Sequence, residues 1–222
     1  MSKWSIQDVS HQRGKVAVVT GANSGIGYHT VLGLSKKGFE VVLACRDLEK
    51  ACIAKWKVKK ENHHAELTSM MIDTSNLSAV SSFVAQFGEQ YNSLDLLVNN
   101  AGIMMPPNKV SEDGFENQLA TNYLGHFALT GLLLPHLLNS PGFRVISLSS
   151  LSYKWAGITF EDLHFEEKYS PSKAYGQSKR ACLVFAYELQ RRLSVQGYNA
   201  FSVAVHPGLS NTNLDKYFPK FI

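Results

Sequence analysis

The stretch Thr20-Gly21-Ala22-Asn23-Ser24-Gly25-Ile26-Gly27 follows the apolar run Val16 to Val19 and precedes a helix-like segment. A strand that enters a glycine-rich turn and leaves it as a helix aims free backbone N–H groups and the positive end of the helix dipole at one point, which suits a phosphate. In this reading Gly21 permits the tight turn, Gly25 lets backbone approach a pyrophosphate, and Gly27 lets the helix pack on the strand, with Asn23, Ser24 and Ile26 completing the cradle. The chain is therefore expected to bind a dinucleotide. The spacing is GxxxGxG, which differs from the GxGxxG of the general fingerprint.

Outward from this turn, buried-strand patterns alternate with helical ones along the chain. Val16 to Thr20, Glu40 to Ala44, Glu66 to Ile72, Asp95 to Asn99, Phe143 to Ser149 and Ala200 to Val205 are short and apolar and read as strands. Gly25 to Lys37, Leu48 to Asn62, Leu77 to Tyr91, Glu112 to Asn139 and Ser172 to Gln196 read as helices. The alternation predicts an α/β fold, a doubly wound parallel sheet of six strands with helices on both faces. In such a sheet ligands bind beyond the carboxyl ends of the strands, where strand order reverses.

At 222 residues, with no Pro/Gly/Ser-rich linker, the chain is expected to form a single domain. Its 45% hydrophobic and 18% charged residues are ordinary for a globular protein, and the net charge of +4 is scattered. The densest cluster, Lys55, Lys57, Lys59 and Lys60, reads as a solvated helix face and not as a nucleic-acid patch. Three cysteines without CxxC or metal spacing fit a reduced compartment. The polar N-terminus and the lack of a long uncharged apolar run predict a soluble cytoplasmic protein with no transmembrane segment. Eight histidines include no HxxxH or HExxH pattern, so no metal site is expected.

The second strand ends at Ala44-Cys45-Arg46, where NAD-binding proteins usually place an acid on the adenosine 2′-hydroxyl. Arg46 would instead meet a 2′-phosphate, which favours NADP(H); the alternative is a surface pair with Asp47 or Glu49. Asp73 is read either as a partner of the adenine amino group or as a helix cap. Asn99-Asn100-Ala101-Gly102 follows the fourth strand as a loop, or as a smooth backbone ledge against the cofactor.

Tyr175 and Lys179, four residues apart, share one helix face, and Ser149 and Ser150 end the fifth strand. A phenol ionises near pH 10, too high for efficient proton transfer at neutrality, and a neighbouring ammonium favours the phenolate.

With these motifs in this order, the chain resembles the short-chain dehydrogenase/reductase family over residues of about 14 to 214. The resemblance rests on TGANSGIG, NNAG, Asn122 of TNYLGHF, Ser150 of SLSS, YGQSK (Tyr175 to Lys179) and HPGLSNT (His206 to Thr212). LACRD at Leu43 to Asp47, NYLGHF and the long segment from Ser150 to Tyr175 are similar to the branch of retinol dehydrogenases and WW-domain oxidoreductases. The resemblance implies an oxidoreductase for an alcohol/carbonyl pair, of apolar aldehyde, ketone, retinoid or steroid type. It implies that Tyr175 is the general acid/base, that Lys179 lowers the tyrosine pKa and bonds the nicotinamide ribose, and that Ser150 positions the substrate oxygen. Asn122 would hold a water linking Lys179 to solvent; Pro207, Gly208 and Thr212 would meet the nicotinamide. It also implies a homodimer or homotetramer, through the helices Glu112 to Asn139 and Ser172 to Gln196.

Family members continue past the PG motif with a substrate lid and a seventh strand. Leu214 to Ile222 reads as the start of that lid, so both lid and seventh strand are expected to be absent. That leaves open a non-catalytic NADP(H)-binding short form or fragment as the alternative to an enzyme.

Overall fold

A computed structural model describes residues 5–208. Its strands are β1 (Val16–Thr20), β2 (Glu40–Cys45), β3 (Leu67–Met71), β4 (Leu96–Asn99), β5 (Arg144–Leu148) and β6 (Phe201–Val205), close to the expected runs. They form one parallel sheet in the order β3-β2-β1-β4-β5-β6. The helices are α1 (Gly25–Lys36), α2 (Leu48–Glu61), α3 (Leu77–Gln90), α4 (Asn117–Leu119), α5 (Gly125–Leu138) and α6 (Pro171–Val195).

Successive strand side chains point to opposite faces, and the burial divides accordingly. Ala17, Val19, Leu43 and Val98 pack with Val31 of α1 and Ala51, Ala54 and Val58 of α2. Val18, Val42, Leu97 and Val145 pack on the other face with Phe83 and Phe87 of α3 and Leu129, Leu133 and Leu137 of α5. Both clusters are apolar, so the register of the central strands is fixed by which residues each face accepts. Strand order reverses between β1 and β4, and the loops that leave their carboxyl ends meet there.

The helix expected from Glu112 to Asn139 is not continuous. Val110 bridges antiparallel to Glu116, Gly114 takes φ +84°, and Ser111 N–H donates to the Phe115 carbonyl at 2.8 Å, so a tight turn replaces the first part. The acids of that turn serve α3 instead: Asn76 donates to the Glu112 carboxylate, and Leu77 N–H donates to Asp113 Oδ2 at 2.8 Å. Carboxylates are favoured at a helix N-terminus, and this placement docks the turn over α3. After α4, residues Ala120–Leu124 form a π-helical turn that leads into α5. The wider turn left no mark on the sequence pattern because α5 is apolar around most of its circumference, so a phase shift in the apolar spacing is hidden. Among the described residues, no helix is long and apolar enough to cross a membrane.

Candidate active site

The glycine turn and the loop after β4 are bound into one unit. Asn100 Nδ2 donates to the Thr20 carbonyl at 2.6 Å and reaches the Gly21 carbonyl at 3.4 Å. The N–H groups of Asn100 and Ala101 both donate to Thr20 Oγ1 at 2.9 Å. Gly21 turns with φ +64°, a conformation that side chains resist. A Cβ at Gly27 would stand 2.3 Å from the Gly21 carbonyl oxygen, so α1 leaves the turn only because that atom is missing. The N-terminus of α1 has no side-chain cap and no acid in its first turn, whereas Asp47 and Asn76 cap α2 and α3.

At the end of β2, the Cys45 thiol is buried against the backbone of Ala22 and Asn23, and burial pushes its pKa up to about 11. The position is thus a neutral thiol. Arg46 is exposed and stands 4.0 Å from Asp73 Oδ2. The alternative pairing with Asp47 does not form, since Asp47 caps α2 and pairs with Lys50 at 2.7 Å. Asp73 is not the cap of α3, which is Asn76; its Oδ1 accepts from the Ser75 N–H and hydroxyl at 2.9 and 2.6 Å. Arg46 and Asp73 line a cavity of about 220 Å³ with Ile103, Lys109, Asn117 and Thr121. A second hollow, at the C-terminal end of α6 by Arg191 and Val195, holds none of the candidate groups.

The proton-handling candidates converge beside Gly102. Lys179 is 5% exposed, donates to the Leu148 carbonyl at 2.9 Å, and lies 5.8 Å from the centre of the Tyr175 ring. Burial pushes the lysine pKa below its ordinary value, because a desolvated ammonium is disfavoured. A Cβ built at Gly102 would stand 3.1 Å from Asn122 Oδ1 and 3.6 Å from Lys179 Nζ, which places both groups against one loop. Tyr175 is buried, with the Trp155 ring 6.3 Å from its own.

The two serines separate cleanly. Ser149 Oγ donates to the Lys179 carbonyl at 2.8 Å and is buried, whereas Ser150 is partly exposed and caps the 3₁₀ turn Leu151–Lys154. Asn122 lies in the π turn, not mid-way along a single helix. Its side chain accepts from Ile103 N–H at 2.8 Å and donates to the Ile103 carbonyl at 3.0 Å and to Ser178 Oγ at 2.9 Å. Pro207 and Gly208 follow β6 after His206; Thr212 and the stretch Leu214 to Ile222 lie outside the described residues.

Sequence reasoning missed the residues that pin the segment between Ser150 and Tyr175. Gln118 donates to Tyr169 Oη and to the Pro171 carbonyl, each at 3.0 Å, and accepts from Met105 N–H at 2.8 Å. Gln177 accepts from Thr159 N–H at 3.0 Å and donates to the Leu163 carbonyl at 2.9 Å. The Glu116 carboxylate accepts from the N–H groups of Gln118 and Leu119 at 2.9 and 2.7 Å, and burial raises its pKa. The available signal was a full polar side chain at a helix position that faces the core, visible only once the face is known. Gly125 was also missed: a Cβ there would meet the Thr74 carbonyl oxygen at 1.9 Å, so the start of α5 touches the loop after β3.

A family model described as short chain dehydrogenase matches residues 15–221. Retinol dehydrogenase 13 of Homo sapiens is 43% identical over 207 residues, which are 92% of this chain and 61% of that protein. The chain thus spans about 61% of the length of this curated relative. A crystal structure of an uncharacterized protein from Mycobacterium Paratuberculosis superimposes with a TM-score of 0.84 at 40% identity, covering 97% of this chain and 76% of that one. The RhlG/NADP complex of Pseudomonas aeruginosa has a TM-score of 0.74 at 25% identity, covering 93% and 76%. The topology, the glycine turn and the matched length agree, and the chain belongs to the short-chain dehydrogenase family, on the side of the retinol dehydrogenases.

Proposed function

We propose that the protein is an NADP(H)-dependent oxidoreductase that interconverts an alcohol and a carbonyl on an apolar aldehyde, ketone, retinoid or steroid. The observation that carries this reading is the burial of Tyr175 and Lys179 on one helix face, with the ammonium beside the loop that Asn100 ties to the glycine turn.

The residues present fit a dinucleotide. The uncapped, acid-free N-terminus of α1 and the positive-φ turn at Gly21 and Gly25 suit a pyrophosphate, held by Gly21, Asn23, Ser24, Gly25, Ile26 and Gly27. A neutral Cys45 followed by exposed Arg46 suits a 2′-phosphate, and Asp73 would take the adenine side of the same cavity. Asn100, Ala101 and Gly102 would form the ledge for adenine and ribose. Lys179 would bond the nicotinamide ribose, with Pro207, Gly208 and Thr212 at the nicotinamide. NADP in RhlG of Pseudomonas aeruginosa supports the choice of NADP(H). When bound, the nicotinamide supplies or accepts the hydride.

The chain's own residues handle orientation and the proton. Ser150 donates a hydrogen bond to the substrate oxygen, which fixes the carbonyl for attack and stabilises charge that develops on it. Tyr175 gives its phenolic proton to that oxygen in reduction and takes it back in oxidation. Lys179 favours the phenolate through its charge, and the Asn122 turn holds Lys179's neighbouring loop in place and would position a relay water. The Trp155 ring stands beside that of Tyr175, and Gln118 and Gln177 pin the segment that runs between these two residues.

The test is NADPH oxidation by purified protein with a panel of apolar aldehydes and ketones. Turnover of at least one supports the reading. A folded protein that binds NADPH and reduces nothing on the panel favours the non-catalytic NADP(H)-binding form instead.

The same reading includes a homodimer or homotetramer through α5 and α6, supported by exposed Phe127, Val184 and Tyr187 beside the Tyr123–Phe127–Phe185 ring cluster. It also includes a cytoplasmic location. Sedimentation analysis and imaging of a tagged chain test these two points.

A further inference from the structure

His126 joins the glycine turn to Asn122 through hydrogen bonds at both of its ring nitrogens. Its Nδ1 lies 3.0 Å from the Asn122 carbonyl and its Nε2 lies 2.9 Å from Thr20 Oγ1. A carbonyl only accepts, so Nδ1 carries the proton and donates. In the neutral ring Nε2 then accepts, and the Thr20 hydroxyl donates to it. Thr20 Oγ1 in turn accepts from the N–H groups of Asn100 and Ala101. With this one tautomer each donor along the path from Asn122 through His126 to Thr20 meets an acceptor.

A protonated ring would break the sequence. Nε2–H would face a hydroxyl oxygen that already accepts two N–H bonds, and the hydroxyl proton would be left with the Val98 carbonyl at 3.4 Å. Lys179 and Cys182, the titratable groups of α6 nearest the ring and its partner, do not offer the imidazolium a counter-ion; the Cys182 thiol donates to the same Asn122 carbonyl at 3.2 Å. Burial also pushes the His126 pKa down to about 4.

We propose that His126 is a positioning residue: as a neutral Nδ1–H imidazole it joins the cofactor turn, through Thr20, to the π turn that presents Asn122 to the loop beside Lys179. Cofactor grip and the geometry of the proton-transfer group are thereby set by two ends of one side chain. This rests on the oxidoreductase reading above for its functional half, while the tautomer and the mechanical link stand without it.

The experiment has two parts. In wild-type protein with ¹⁵N-labelled histidine, NMR is expected to show His126 as the neutral Nδ1–H tautomer from pH 8 down to about 5, with the Nε2 shift moving on addition of NADPH. An Nε2–H tautomer, a titration near the ordinary histidine pKa, or an Nε2 signal blind to bound NADPH overturns the proposal. Binding of NADPH is read in the same titration, so failure of the cofactor reading shows itself separately, as no binding at all.

The second part uses two substitutions that each keep one end. The amide nitrogen of Asn sits near the position of Nδ1, and the amide of Gln near Nε2. His126→Asn is expected to weaken NADPH binding roughly tenfold with the pH profile of kcat unchanged. His126→Gln is expected to keep NADPH affinity within about twofold while kcat falls roughly tenfold and its pH profile shifts. Parallel loss of both properties in both variants, or no change in either, overturns the two-ended role. Should neither variant fold, the wild-type NMR result decides alone.

Discussion

Asn100 donates to the backbone carbonyl of Thr20 at 2.6 Å across the point where the strand order of the sheet reverses. One amide therefore joins the two loops between which a dinucleotide would lie, and the bond connects two segments eighty residues apart in sequence.

Asn100→Ala removes this donor and leaves the Thr20 carbonyl unsatisfied in a half-buried site, a loss of about 1–3 kcal/mol. Its NADPH affinity is expected to fall at least roughly tenfold, measured by calorimetric titration, with a lower denaturation midpoint.

Gly27→Ala places a Cβ 2.3 Å from the Gly21 carbonyl oxygen. Backbone cannot yield there without opening the turn, so NADPH binding is expected to vanish. Gly131→Ala is the control: nothing lies within 4 Å of its Cβ, and the substitution should stabilise α5 by about 0.5–1 kcal/mol without altering binding. Binding and thermal denaturation of both variants check the pair.

Tyr175→Phe keeps the ring but deletes the phenolic proton. Turnover is expected to drop at least about a hundredfold with NADPH affinity within about twofold. Turnover at the wild-type level would remove Tyr175 from the role proposed for it.

Arg46 is exposed and its contact with Asp73 is long, so Arg46→Asp should leave stability within about 0.5 kcal/mol. The same change is expected to weaken NADPH binding much more than NADH binding, because only the former carries the 2′-phosphate. Equal losses for the two cofactors would argue against Arg46 as the discriminating group.

His126 bears on acid stability. Its pKa is pushed down by burial to about 4, below its ordinary value near 6.5, so the unfolded chain binds a proton that the folded one refuses. The stability it provides is complete above about pH 6.5 and declines as pH falls toward 4, by about 3 kcal/mol in all. Urea denaturation between pH 7.5 and 4.5 should show a shallower decline in His126→Gln than in wild type.

The sheet was legible because parallel strands buried on both faces are short apolar runs, and those runs are bounded by polar or glycine residues in this chain. The glycine turn was legible for a related reason: Gly21 takes a positive φ and a Cβ at Gly27 would clash with the Gly21 carbonyl, so both constraints arise within the turn itself and are written in neighbours in sequence. The pair Tyr175 and Lys179 was legible through helical spacing. The break of the expected Glu112 to Asn139 helix was not, since Glu112 and Asp113 leave the helix to serve α3, which is distant in sequence.

Composition, period and local turn chemistry by themselves determined the doubly wound sheet, the glycine turn after β1 and the shared helix face of Tyr175 and Lys179. Only the tertiary structure decided which serine stays accessible, that Arg46 faces Asp73 and not its helix neighbours, and that His126 bridges Thr20 and Asn122. Those outcomes depend on which polar group each buried atom meets across the core. Hydrogen bonds between segments are set by packing, and sequence spacing carries no trace of them.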